Sequence, residues 1–90
     1  MSSETIKDAI RDFINVNFML GEEHRSFLDS DSFLRKGIID SMGVVELLGF
    51  VQKRYRIRVE PTELIPQNFD TLENLERFIQ RKIGNDDFNA

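Results

Sequence analysis

Gly37-Ile38-Ile39-Asp40-Ser41-Met42-Gly43-Val44-Val45-Glu46-Leu47-Leu48-Gly49-Phe50-Val51-Gln52-Lys53-Arg54-Tyr55 is the stretch on which the reading of this chain turns. Val44, Leu47, Leu48, Val51 and Tyr55 recur at helical spacing, which predicts an amphipathic helix over about 41–55. Asp40 is a good N-cap, because its carboxylate can accept from the open amides of the first turn. Gly43 and Gly49 lie inside the helix and cost about 1 kcal/mol each relative to alanine. Packing must therefore compensate, or close approach is wanted there. Ser41 falls at the first turn, where unpaired amides and a partial positive charge suit a phosphate. No histidine stands near it in sequence, so Ser41 reads as a residue modified by another enzyme rather than a nucleophile of its own.

Outward from that helix, the rest of the chain also reads as helical. Ile6, Ala9, Ile10, Phe13 and Ile14 share a face, predicting a helix over about 3–18, capped by Ser2 or Ser3, with Glu4 favourably placed and Gly21 as a stop. From Gly21 to Asp40 the period breaks. The turn-forming run Asp29-Ser30-Asp31-Ser32 sits there among Phe27, Leu28, Phe33, Leu34, Ile38 and Ile39, which need burial. So long a loop in a small domain is often functional, and a helical turn is expected near 31–35. Arg56-Ile57-Arg58-Val59 alternates like a strand but has no second strand to pair with, so it reads as a loop. Pro61 to Ile65 predicts a short helix ended by Pro66, and Leu72, Leu75, Phe78, Ile79 and Ile83 predict a last helix over about 71–83. Asp70 with Glu73 has the spacing of a capping box. The expected fold is all-α: a four-helix bundle of three main helices and one short one, with a long first loop. Residues 1–90 form one domain, with its core over about 4–83 and a flexible polar tail over 84–90.

Composition narrows the function. The 90 residues carry sixteen acids and twelve bases, net −4, with no cysteine and one histidine, His24. Disulfides, thiolate zinc sites and a thiol nucleophile are excluded, and neither a histidine-based triad nor a metal site is expected. Mild acidity argues against nucleic-acid binding; the Lys53 to Arg58 run interleaves aromatics with charge as a nucleic-acid contact would, but cations near the negative end of a helix explain Lys53 and Arg54 more simply. There is no signal-peptide core. The apolar stretch Met42 to Val51 is broken by Glu46 and too short to span a bilayer, so neither stable membrane insertion nor a compartment other than the cytoplasm is expected. The chain reads as a module that serves other proteins, not as an enzyme.

Asp40-Ser41-Met42, followed by Val45, Glu46 and Leu47, resembles the acyl carrier protein family, the phosphopantetheine-attachment domains. The family's mark is Asp-Ser-Leu or a close variant at the head of the second of four helices. Tyr55, Ile57, Val59, Pro61 and Thr71-Leu72 fill the downstream pattern, so the likeness runs over about residues 4–83. The resemblance implies that a phosphopantetheinyl transferase attaches 4′-phosphopantetheine to Ser41. Acyl-loading and acyl-accepting partner enzymes would then use the arm's thiol to carry cargo as thioesters, for fatty-acid, lipid or polyketide-type biosynthesis. It also implies a monomer that catalyses nothing itself. Asp40, Met42, Val45 and Glu46 are the residues expected to be read by the transferase and partners, and Met42 is expected either to border the arm or to be a simple core or rim methionine.

The chain departs from the family in charge. Housekeeping fatty-acid carriers have an acid-rich second helix, whereas here the matching positions are Gln52, Lys53 and Arg54. Over 41–60 two acids, Glu46 and Glu60, face four bases, Lys53, Arg54, Arg56 and Arg58. Lys53 and Arg54 thus form a partner-facing charge that would repel a basic dock, which implies a specialised, freestanding carrier with dedicated partners. The Ile-Asp-Ser-Met-Gly string is also similar to the D-alanyl carrier proteins, so an aminoacyl carrier loaded by an adenylating ligase is the alternative. A helical protein- or DNA-binding module with unmodified Ser41 is the third reading. Phe13, Phe33, Phe50 and Phe78 read as core packing; if they crowd the interior, small cargo is preferred over long chains.

Overall fold

Thr5 starts helix α1 (Ile6–Phe18). Its hydroxyl accepts the Asp8 N–H at 3.0 Å and its carbonyl accepts the Ala9 N–H at 3.1 Å, satisfying donors that a helix start leaves open. The structure is a computed structural model and describes residues 5–18 and 27–89, with side chains as far as 84. The helix begins at Ile6, and the expected start near residue 3 falls outside the described residues. Ser2, Ser3, Glu4, Gly21 and His24 lie outside the described residues. Helix α2 (Ser41–Tyr55) has the bounds its periodicity predicts. A single 3-10 turn (Pro61–Glu63), a four-residue helix α3 (Pro66–Phe69) and a long helix α4 (Leu72–Asn89) complete the chain. The described residues are all helix and loop, with no strand, as expected.

Helix α4 packs against α1, α2 and α3, and α1 also packs against α2. One core results. It takes Ile10 and Ile14 from α1, Val44, Leu47, Leu48 and Val51 from α2, and Leu72, Leu75, Phe78 and Ile79 from α4. Phe27, Phe33 and Ile39 of the first loop and Ile57 and Phe69 further on close it. Ile6, Phe13, Tyr55 and Ile83, on the predicted apolar faces, are half-buried at its margin. Leu28 and Leu34 are exposed at 67% and 40%, against the expectation that the loop buries them.

Two ends differ from the sequence reading. Pro66 opens α3 rather than ending the helix before it, since proline at a first helical position gives up only an amide that would be unpaired anyway. The 3-10 turn before it stops at Glu63, whose carboxylate accepts the Glu60 N–H at 2.8 Å and Lys82 Nζ at 2.9 Å; these two, the amide first, hold its carboxyl below the ordinary value. Helix α4 continues to Asn89, six residues past the predicted end at 83.

The predicted Asp70–Glu73 capping box is not formed. Thr71 caps α4, its hydroxyl accepting the Asn74 N–H at 3.0 Å and its carbonyl the Leu75 N–H at 2.9 Å. Asp70 is taken by the first loop instead. Its carboxylate accepts from the Ser32 hydroxyl and from the Leu34 N–H at 3.0 Å, and its carbonyl accepts the Phe33 N–H at 2.8 Å. A loop has no ladder to satisfy its amides, so it must find acceptors elsewhere, and this one finds them at the α3–α4 junction.

A second tether ties the same loop to α1 and α4. Arg11 donates to the Phe27 carbonyl at 2.8 Å and to the Asp29 carboxylate at 2.6 Å, and its guanidinium lies 4.4 Å from the Phe27 ring centre. Lys7 reaches the same carboxylate at 3.0 Å, and the Asp29 carbonyl accepts the Glu73 N–H at 3.1 Å. The Lys7 and Arg11 hydrogen bonds hold the Asp29 carboxyl below its ordinary value, outweighing its partial desolvation. A carboxyl lowered on folding stabilises above its unfolded value of 3.8 and loses that contribution as pH falls through the lower folded value. Asp29→Asn should therefore lower the melting temperature at pH 7, with the gap to the wild type closing below pH 3.8. A gap of constant size across thermal melts from pH 7 to pH 2 would contradict this assignment.

Candidate functional site

The start of α2 is built by the loop before it. Gly37 turns the chain with φ +68°, a conformation that disfavours residues with a Cβ. The predicted helical turn near 31–35 is a hydrogen-bonded turn over 33–37, closed by Lys36 N–H to the Ser32 carbonyl at 3.0 Å. The Phe33 carbonyl then accepts from Ile38 at 2.9 Å and Ile39 at 3.3 Å. Phe33 and Ile39 are both fully or almost fully buried, so the chain reaches Asp40 from a fixed point in the core.

Asp40 caps α2 as its sequence position predicts. Its backbone is extended, its carboxylate accepts the Gly43 N–H at 2.8 Å, and its carbonyl accepts the Val44 N–H at 3.0 Å. Gly43 is the close approach that the sequence left open as an alternative to simple compensation by packing. A Cβ on it would stand 2.6 Å from Ile39 Cγ2, 2.9 Å from Phe18 Cε1 and 3.2 Å from the Asp40 carboxylate. Only glycine lets α1, the loop and the first turn of α2 meet here. At Gly49 a Cβ would meet nothing within 4 Å, so no such constraint acts there.

Ser41, the first residue of α2, is exposed, and no described residue hydrogen-bonds its hydroxyl. Met42 and Val45 beside it are exposed at 73% and 67%, large values for apolar side chains. Asp40 and Glu46 are exposed as well. Helical geometry puts Ser41 and Val45, and likewise Met42 and Glu46, four residues apart on one side of the helix. The five residues singled out from sequence therefore form a single surface at one end of α2. Met42 belongs to this surface and not to the core. Lys53 and Arg54 are exposed in the last turn of the same helix, about 18 Å along its axis from Ser41; Arg54 stands 5.7 Å from the Tyr55 ring centre.

The four singled-out phenylalanines divide into two pairs. Phe33 and Phe78 are buried in the core. Phe13 and Phe50 stack at 4.3 Å in the seam between α1 and α2, where they line an open surface cavity of about 300 Å³ with Ala9 and Val16. Phe50 is nine residues from Ser41, about 14 Å along the helix, so this cavity lies away from the α2 start.

Two structural features of α2 carry little sequence signal. The helix ends at Arg56 in the left-handed region, φ 56° and ψ 46°, where glycine or asparagine would be the usual choice. Gln52 organises that ending: its carbonyl accepts from Arg56 and from Ile57 at 3.2 Å, and its side-chain oxygen accepts the Val59 N–H at 2.9 Å. Among the described residues, no helix is long and apolar enough to cross a membrane, and no group of three metal-ligating side chains converges. No protein-family model matches the chain.

Proposed function

We propose that this chain is a carrier protein whose Ser41 accepts 4′-phosphopantetheine. The observation that carries the reading is an exposed serine hydroxyl, engaged by no described residue, on the first turn of a helix whose start is rigidly fixed by Asp40 and Gly43. The site fits the group chemically. A phosphodiester there would face the positive end of a fifteen-residue helix, and Met42 and Val45 offer apolar surface beside it. In the transfer, the Ser41 oxygen bonds to the pantetheine-bearing phosphorus of coenzyme A. The bond from that phosphorus to the bridging oxygen breaks, 3′,5′-ADP leaves, and the transferase takes the serine proton.

When bound, the arm supplies a thiol on which cargo travels as a thioester. This chain's own part is to hold Ser41 out from the core and to present Met42, Val45 and Glu46 to the transferase and to the loading and accepting enzymes. Burial of Phe33 and Phe78 in the core favours small acyl or aminoacyl cargo over long chains, which keeps the aminoacyl carrier as the second reading. Intact-protein mass spectrometry tests the first. Coenzyme A and a broadly acting phosphopantetheinyl transferase should add one phosphopantetheine to the wild type and none to Ser41→Ala. An unchanged wild-type mass, with a control carrier modified in the same tube, would end the carrier reading.

A further inference from the structure

Cations elsewhere on the described surface are mostly engaged. Lys7 and Arg11 share Asp29, Lys36 lies 3.9 Å from Asp31, Lys82 holds Glu63, and Arg77 and Arg81 donate to the side-chain oxygens of Asn74 and Asn68. Arg35 has no side-chain partner among the described residues, and neither do Lys53, Arg56 and Arg58, which unlike it cluster within six positions of the chain. All three are exposed, and none pairs with a carboxylate among the described residues. They follow one another at the end of α2 and along the extended segment after it, where Ile57 turns inward and is only 6% exposed. Arg56 and Arg58, on either side of Ile57, are both exposed.

Arg56 adds a second, independent observation. Its backbone is left-handed, which costs a non-glycine residue about 1 kcal/mol relative to glycine. The chain keeps a guanidinium at the one described non-glycine position where backbone energetics favour having no side chain at all. Strain retained at an exposed residue with no internal partner points to a use outside the chain.

We infer that Lys53, Arg56 and Arg58 form a docking ridge for a carboxylate-bearing surface of a partner protein. The inference deepens the carrier reading by naming the charge of the enzymes that would serve Ser41. An acidic protein suits the ridge better than nucleic acid does, because three cations on a chain of net charge −4 make a small footprint for a polyanion. A protein surface needs only a few matched charges to gain orientation and encounter rate.

The probe is a helical peptide bearing three glutamates on one face, compared with its glutamine counterpart, in an amide chemical-shift titration of the full chain. The glutamate peptide should shift residues 53–59 and bind about tenfold more tightly than the glutamine peptide, with the difference vanishing in high salt. Arg56→Gly should weaken it about threefold while raising the melting temperature, so the loss cannot be charged to unfolding. Equal binding of the two peptides, or an Arg56→Gly chain that binds like the wild type, would overturn the ridge. So would a twelve-base oligothymidylate or phosphatidylglycerol vesicles occupying 53–59 at lower concentration than the peptide. The titration does not use Ser41, so failure here leaves the mass-spectrometric test standing, and failure there leaves the ridge standing.

Discussion

Phe33→Ala is expected to cost about 3–5 kcal/mol, the usual loss for deleting a buried phenylalanine ring. A domain of this size has about 5–13 kcal/mol in total, so the variant should be partly unfolded at 37 °C. The ring is fully buried and meets Phe27 edge-on with centres 5.8 Å apart, so little could collapse into its place. The residue also stands at a crossing of backbone bonds. Its N–H donates to the Asp70 carbonyl, and its own carbonyl receives Ile38 and Ile39. A cavity at this point should loosen the approach to Asp40 as well as the core. Urea unfolding would measure the loss; a change below about 1 kcal/mol would mean that the ring is not packed as described. Phe33→Leu, which keeps most of the volume, should lose far less and serves as the folded comparison.

Gly43→Ala is the second large effect, and its sign opposes helix propensity. Alanine is better than glycine in a helix interior by about 1 kcal/mol, so on propensity alone the change would stabilise. Contacts of 2.6 Å to Ile39 and 2.9 Å to Phe18 lie well inside normal packing distance, and overpacking of this kind costs about 1–3 kcal/mol. Both obstructing groups belong to side chains held in or against the core, so the clash should win and the variant should be less stable than the wild type by up to about 2 kcal/mol. Gly49→Ala is the internal control. Nothing stands within 4 Å of its Cβ position, so it should gain about 0.5–1 kcal/mol. Thermal melts of the two variants should move in opposite directions. Movement in the same direction would show that propensity, not close approach, governs both glycines.

The two positions also mark how far the sequence reading reached. The bounds of α2, its buried stripe and the Asp40 cap were legible because each depends on residues within a few positions of one another. So was the placement of Ser41 on the first turn. Spacing reports which residues share a face, and a cap acts over three residues. The α4 cap was misread for the same local reason. Asp70 and Glu73 have the right spacing for a box, but Ser32 and Leu34, 38 and 36 residues away, compete for the same carboxylate. No local pattern records that competition. The ending of α2 was hidden differently: Arg56 lacks the glycine signal, and Gln52 supplies the acceptors that make the left-handed turn tolerable.

By itself, the sequence determined the helical class, the helix that carries Ser41 and the faces that helices α1, α2 and α4 bury. Periodicity, capping and composition are short-range properties, already present in the unfolded chain. The tertiary structure decided which glycine is constrained, where Asp70 spends its carboxylate, and which cations are left without an internal partner. Each of those depends on segments far apart in the chain arriving at the same place, and only the packed fold brings them there.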